Sequence, residues 1–284
     1  MITFLRLGEK GNLGNQLFQI ASSIGIADKN GHQYSFPAWK YSEFLERPLP
    51  VLSEADAKNW TQIKEKQFSY YDWKLGDGNY NLEGWLQTEK YFQEVDIKHV
   101  FKFKKHFQDD LKEKFKYLFS RKTILITIRR GDFVDNKYYF QTSYKYYFSA
   151  LLKHFPDFED YNIIFTSDDP DYCKYHFQFL KNAYFLEGLS AIEQMALASL
   201  FDHFIISNST FSWWVAWLGE KENTKVVCPI RNFDGPYRKI YDETDYYCER
   251  WNKHDENSFS IPSKYISLTC CAFRDLKKKD CSFD

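Results

Sequence analysis

Between residue 123 and about residue 230 the chain alternates short β-branched runs with stretches that are apolar at helical spacing. That rhythm restricts it to an α/β fold built on parallel strands. Thr123–Ile128 reads as the first strand, because its Thr and Ile side chains suit a pleated surface. The loop at Arg129-Arg130-Gly131-Asp132 leads to a helix with Tyr144, Tyr147, Phe148, Leu151 and Leu152 on one face. Residues 162–165 form a second strand running into Thr166-Ser167-Asp168-Asp169, where Asp169-Pro170 can open a helix. Ser190-Ala191-Ile192-Glu193 is a capping box, in which hydroxyl and carboxylate satisfy each other's open amides. Residues 204–206 make a third strand, 207–210 a turn, and 211–218 a helix that Gly219 closes. Residues 225–228 make a fourth strand, which Pro229 ends. These repeats predict a doubly wound nucleotide-binding domain.

The rest of the chain is less regular. Residues 2–7 read as a buried strand, followed by Gly11-Asn12-Leu13-Gly14-Asn15-Gln16 and a helix through Leu17, Ile20, Ala21 and Ile24. Residues 40–122 mix charged and aromatic side chains around a turn at Gly76-Asp77-Gly78. From Asn252 the pattern fades into a tail that includes Lys277-Lys278-Lys279. No internal repeat stands out.

Composition narrows the function classes. At 284 residues and 44% hydrophobic, the chain has enough apolar surface for one large or two modest domains. Its 38 basic and 39 acidic side chains leave a net charge of −1, without the basic surplus that duplex nucleic acid requires. Aromatics reach 20%, a share read mainly as core filling. The six cysteines (173, 228, 248, 270, 271 and 281) form no C-x-x-C pair, so reduced thiols in a cytosolic enzyme are expected. Cys270, Cys271 and Cys281 with His254 match no zinc spacing. Met1 runs directly into a short strand with no signal-peptide core, and no run nears the ~20 apolar residues of a membrane span. A soluble, cytoplasmic protein is expected, with at most peripheral contact with the inner membrane face.

Four motifs carry candidate chemistry. Arg129-Arg130-Gly131-Asp132 lies at a strand's carboxyl end, where α/β proteins bind ligands. Guanidinium groups there suit a phosphate, which they hold by parallel hydrogen bonds; the bland alternative is a surface Arg–Asp pair. Ser207-Asn208-Ser209-Thr210-Phe211-Ser212-Trp213-Trp214 lies at a strand-to-helix junction, where open amides and hydroxyls favour an anion. There Thr210 is expected to cap the helix and the two tryptophans to pack. Gly11-Asn12-Leu13-Gly14-Asn15-Gln16 is glycine-rich but has neither P-loop nor dinucleotide spacing. Asp169-Pro170-Asp171 has the D-x-D form of a metal-dependent sugar transferase, and Asp168 could instead accept from ribose or base.

Together these residues resemble glycosyltransferase family 11, the α-1,2-fucosyltransferases. The resemblance runs from about residue 2 to 251 through Gly11-Asn12-Leu13-Gly14-Asn15-Gln16-Leu17-Phe18-Gln19, Gly84-Trp85-Leu86-Gln87-Thr88-Glu89-Lys90-Tyr91-Phe92, Thr127-Ile128-Arg129-Arg130-Gly131-Asp132, Ser167-Asp168-Asp169 and Asn208 to Trp214. One departure is Thr127, where the family usually has His: a threonine donates a hydrogen bond but cannot hold a proton as imidazole does.

The resemblance implies a GT-B-like fold of two Rossmann-like halves, with the donor nucleotide bound mainly by the C-terminal half. The expected division is an acceptor-side domain over 1–120, a GDP-fucose-binding domain over 121–251 and a tail over 252–284. It further implies inverting transfer of L-fucose from GDP-fucose to the 2-hydroxyl of a galactose-type acceptor glycan, with no metal and no other cofactor. Fixed arginines and helix amides would stabilise the leaving phosphate in place of a metal ion. Arg129 or Arg130 would contact the β-phosphate, and Ser209, Thr210, Phe211 and Ser212 would line the diphosphate. Asp168 and Thr127 would meet the nucleoside, and Gly14 and Asn15 the fucosyl-phosphate. Asp132 or Asp135 would serve as base, and Trp85, otherwise a core residue, would stack on the acceptor. Two alternatives are a metal-dependent transferase of another fold using Asp169 and Asp171, and a non-catalytic glycan- or nucleotide-binding protein.

Overall fold

The computed structural model describes residues 1–265 other than Glu54 and Lys58. The chain divides into two compact units, one of Met1–Lys112 with Gly235–Arg250, the other of Glu113–Asp234 with the segment from Trp251 onward.

The first unit holds β1 (Ile2–Thr3), α1 (Leu13–Lys29), β2 (Thr61–Lys64), β3 (Tyr80–Glu83) and α2 (Ile97–Val100), and most of α3 (Lys105–Lys114). Its three strands lie parallel in the order β1-β3-β2. The first strand is much shorter than the expected 2–7. Phe4 turns inward to full burial, Leu7 N–H bonds back to Phe4 O, and Gly8 sits at φ +90°, so the chain leaves the sheet in a turn. Helix α1 buries residues around most of its circumference, including Phe18, Ile20 and Ala21. At Gly25 an added Cβ would stand 2.0 Å from Tyr91 O, so only glycine permits that approach.

The second unit is the regular one. It contains β4 (Thr123–Ile128), α4 (Tyr144–His154), β5 (Asn162–Ser167), α5 (Pro170–Phe177), β6 (Ala183–Phe185), α6 (Ala191–Ala198), β7 (His203–Ile205), α7 (Thr210–Gly219) and β8 (Val226–Pro229). The chain then enters the first unit with α8 (Gly235–Ile240) and returns to the second as β9 (Asn252–His254). The six strands are all parallel, in the order β6-β5-β4-β7-β8-β9. This is the doubly wound order, with its switch point between β4 and β7. The face formed by Ile124, Ile126, Ile128, Ile163 and Phe165 packs on Tyr147, Phe148, Leu151 and Phe177.

Several expectations are corrected. Residues 235–250 belong to the first unit, not to a continuous 121–251 domain. They are held there by Phe68 rings against Tyr241 and Tyr246, and by Lys90–Asp245 and Arg250–Glu89 ion pairs. Residue 252 does not begin a patternless tail, because β9 pairs with β8. Pro229 is the last residue of β8 rather than its terminator. Gly219 ends α7 without left-handed backbone; its Cβ would meet the Phe204 ring at 2.4 Å, so packing requires it. Cys173, Cys228 and Cys248 are buried, while Cys270, Cys271, Cys281 and the lysine run lie outside the described residues.

Candidate active site

In a doubly wound sheet the carboxyl ends of strands beside the switch point open a crevice, because the crossover helices diverge to opposite faces there. A cleft of about 230 Å³ lies at this place, lined among others by Thr127, Arg129, Asp168, Gln194, Ser209 and Phe211. Sequence reading names five of these six from separate motifs; the fold brings them to one opening.

The arginine pair is tightly framed. Arg129 Nε donates to Asp132 Oδ1 at 3.0 Å, and Arg129 Nη1 lies 3.0 Å from Asp168 Oδ2. Arg130 donates its backbone N–H to Asp168 Oδ1 at 2.8 Å, places Nε 3.2 Å from Asp169 Oδ2, and stacks its guanidinium 3.8 Å over the Tyr172 ring. Both Asp168 oxygens therefore engage the arginine segment, a tie between the ends of β4 and β5 that sequence spacing does not predict. Gly131 makes the tie possible, since a Cβ there would lie 2.4 Å from Asp168 Oδ2. Asp169 also caps α5 by accepting from Tyr172 N–H, and Asp171 is exposed in the first turn of that helix. Asp135 is exposed, with φ at +57°.

Behind this frame His176 is fully buried, stacked against Tyr144 and 4.1 Å from the Tyr172 ring centroid. Burial first, and then the Arg130 guanidinium, hold its imidazole down at about 3, so it stays neutral. Cys173 is buried beside it, and burial pushes its thiol up to about 12.

The helix end also differs from expectation. Ser209, not Thr210, is the N-cap of α7, accepting from Phe211 N–H at 3.2 Å; Thr210 is the first helical residue. A serine with extended backbone leaves its oxygen over the first turn, whereas Thr210 already has helical geometry. Ser212 Oγ bonds Ser207 Oγ at 2.9 Å. Asn208 donates to Phe140 O and Asn232 O, which makes it a brace between loops. Trp213 and Trp214 have no exposed surface and are core. Thr127 is 2% exposed on the cleft floor, and its Oγ1 lies 3.4 Å from the Ser207 N–H that it accepts.

Gln194, Ala191, Thr166 and Ser167 also line the cleft, and sequence reading does not single them out. Thr166 Oγ1 donates to Gln194 Oε1 at 2.7 Å, and Gln194 Nε2 donates to Leu189 O at 2.9 Å, so the amide orientation is fixed. The available signal is the capping box at 190–193, which places residue 194 on the first turn of a helix facing the strand ends.

In the first unit the glycine motif is shorter as a loop than expected. Asn12 is the N-cap of α1, so Gly14 and Asn15 are already helical. Gln16 Nε2 donates to Gly11 O and Gln19 Nε2 to Lys10 O, which folds the loop back on its own helix. Gly11 sits at φ +79°, and a Cβ there would strike the Asn15 side chain at 2.5 Å. Asn15 Oδ1 accepts from Gln87 Nε2 at 2.8 Å, joining the first motif to the second. Trp85 is 36% exposed, with Lys10 Nζ 4.5 Å over its ring. It is a surface aromatic, not a core one.

The family model for Glycosyl transferase family 11 matches residues 6–255. The chain belongs to glycosyl transferase family 11. An Alpha-1,2-colitosyltransferase from Escherichia coli is 28% identical over 187 residues, 61% of this chain and 62% of that protein. The O-antigen biosynthesis glycosyltransferase WbnK from E. coli is 34% identical over 122 residues, 40% of each chain. The chain thus matches less than two thirds of the length of these curated relatives. Among solved structures, a mutant of Arabidopsis thaliana FUT1 in complex with GDP has a TM-score of 0.53 at 12% identity, covering 91% of this chain and 78% of that one. POFUT1 in complex with GDP has a TM-score of 0.52 at 12% identity, covering 80% and 97%. NodZ from Bradyrhizobium has a TM-score of 0.51 at 12% identity, covering 76% and 91%. At such identities the likeness is one of fold: the family member has the α/β, parallel-sheet, GT-B-like architecture of these fucosyltransferases. Among the described residues no helix is long and apolar enough to cross a membrane.

Proposed function

We propose that this family 11 protein is an inverting glycosyltransferase that moves L-fucose from GDP-fucose to the 2-hydroxyl of a galactose-type glycan, without a metal ion. The observation that carries the reading is the convergence of Arg129, Asp168 and the α7 N-terminus on one cleft at the switch point. That arrangement suits a diphosphate. Cleaving the bond between the sugar's anomeric carbon and phosphate leaves charge on the β-phosphate, which guanidinium and helix amides stabilise without reorganising. Arg129 donates two of its five N–H groups to Asp132 and turns Nη1 toward Asp168 as an ion pair, which leaves N–H groups for phosphate oxygens. Arg130, held by Asp169 and Tyr172, is the second candidate. Ser209, Thr210, Phe211 and Ser212 offer the helix end, Thr127 and Asp168 are the candidates for the nucleoside, and Gly14 and Asn15 remain the candidates for the sugar-phosphate.

The acceptor oxygen attacks the anomeric carbon from the face opposite the departing phosphate, and its proton passes to a nearby base. Asp132 orients Arg129, which leaves the exposed Asp135 of the same loop to take that proton. Trp85 offers a ring face to the acceptor sugar. The acceptor proposed is a glycan on a membrane-linked precursor, met peripherally from the cytoplasmic side.

A second reading keeps the site and linkage and changes the sugar to colitose, favoured by the name of the 28%-identical relative. Transfer from GDP-fucose and from GDP-colitose to β-galactosides, measured with EDTA present, tests both. The first reading expects turnover with GDP-fucose and the second with GDP-colitose. Activity lost in EDTA and restored by Mn would overturn the metal-free mechanism. No turnover with either donor, with GDP bound, would make the protein a binder.

A further inference from the structure

The strongest local construction outside the cleft surrounds Glu65. Lys64 pairs with Glu83 in the parallel β2–β3 register, so the next step sets Glu65 beside Gly84. Gly84 must lack a side chain there, since a Cβ would lie 2.5 Å from Glu65 Cβ and 2.8 Å from its Oε2. Through that gap the carboxylate reaches the following turn. Oε2 accepts from Trp85 N–H at 2.7 Å, and Oε1 accepts from Leu86 N–H at 3.0 Å. Leu86 is fully buried with φ at +55°, a conformation disfavoured for a side chain of its size. Ser22 Oγ of α1 holds the Leu86 carbonyl at 2.8 Å. The same turn presents the Trp85 ring outward and directs the buried Gln87 amide to Asn15.

Two consecutive N–H groups bound by the two oxygens of one carboxylate form a directional clamp. A protonated carboxyl has only one strongly accepting oxygen, and the other N–H is then poorly matched. Lys10, above Trp85, favours the carboxylate, while the Tyr71 and Tyr91 phenols, both pushed up by burial, remain neutral. Burial outweighs these partners and raises the Glu65 carboxyl to about 7. The clamp is therefore set to change state around neutral pH.

We propose that Glu65 is a positioning residue: its carboxylate holds the turn at 84–87 in a strained conformation that presents Trp85 to the acceptor sugar, and protonation releases it. This rests on the acceptor role given to Trp85 above. It adds a proton-dependent control of acceptor binding.

The experiment has two arms. With the protein selectively labelled with ¹⁵N-tryptophan, the Trp85 amide resonance, assigned by its loss in Trp85→Phe, should titrate with a midpoint near 7. It should lose that titration in Glu65→Gln. With GDP-fucose and lactose as substrates, the lactose KM should rise about 10-fold as pH falls from 8 to 6, the effect of loosening one buried charged hydrogen bond. In Glu65→Gln it should be high and flat with pH, while GDP affinity, measured by calorimetry, stays unchanged. A structural role alone would not remove a pH inflection from one KM. A Trp85 amide that does not move between pH 6 and 8 overturns the proposal. So does a Glu65→Gln enzyme that retains the wild-type KM profile. If the wild type binds GDP but transfers nothing to lactose, the acceptor reading fails, and the Trp85 titration alone decides whether the clamp exists.

Discussion

The two units build their candidate functional groups in opposite ways. In the second unit, six parallel strands deliver side chains from separate motifs to one sheet edge, and backbone regularity does most of the placing. In the first, three short strands place little, and side chains bonded to backbone shape the functional loops. Gln16 and Gln19 fold the glycine loop, and Glu65 folds the turn before Gln87. Where a repeat supplies the scaffold, a functional residue needs only the right strand end. Where it does not, each functional residue needs its own brace, often buried and polar.

Mutations can break this contrast. The largest effect is expected for Arg129→Ala, which removes a preorganised cation from the cleft. The rate of transfer should fall roughly 10²–10³-fold with the fold intact, read as kcat beside a circular dichroism spectrum. Gly131→Ala should follow. Its methyl group must displace Asp168, uncoupling the β4 and β5 ends, and GDP affinity should fall about 10-fold in calorimetry. Wild-type affinity in this variant would mean that the Asp168 tie is incidental to the donor. Trp85→Ala should act on the other unit only, raising the acceptor KM several-fold at constant GDP affinity, as expected for loss of about 1 kcal/mol of ring stacking.

The smallest effect sharpens the contrast through acid stability. His254 and His176 of the second unit are buried, and burial lowers them to about 4 and about 3. His154 and Lys153 act in the same sense on His254. Their unfolded value is near 6.5, so between 6.5 and about 4 the unfolded chain binds protons that the folded chain refuses. Stability is full above pH 6.5 and declines as pH falls through that window. His32, His99 and His106 of the first unit are not buried. Urea midpoints at pH 7 and pH 5 should therefore differ, and His254→Gln should reduce the difference. An unchanged gap would remove His254 as a cause.

Much of the second unit is legible in the sequence because its signals are local. A β-branched run, a capping box and a strand-end Arg-Arg are each contained in a few residues. The strands that escape such reading are short: Ala183–Phe185 carries no alternation, and Asn252–His254 is polar apart from its buried last residue. The return of 235–250 to the first unit depends on Phe68, Glu89 and Lys90, which lie more than 150 residues away from their partners in sequence. Gln194 escapes notice because a glutamine next to a capping box looks like an ordinary surface helix residue. Glu65 lies in the charged run Lys64-Glu65-Lys66, which reads as a solvated face.

The sequence by itself determined the parallel α/β class, the family and the identity of the strand-end residues, because hydrophobic period and short motifs are properties of neighbouring residues. Only the tertiary structure decided that Asp168 ties the arginine segment, that Ser209 rather than Thr210 caps α7, and that Glu65 clamps the turn behind Trp85. Those facts depend on strand register and on the few ångströms left open by Gly131 and Gly84, and such distances arise only when remote segments pack.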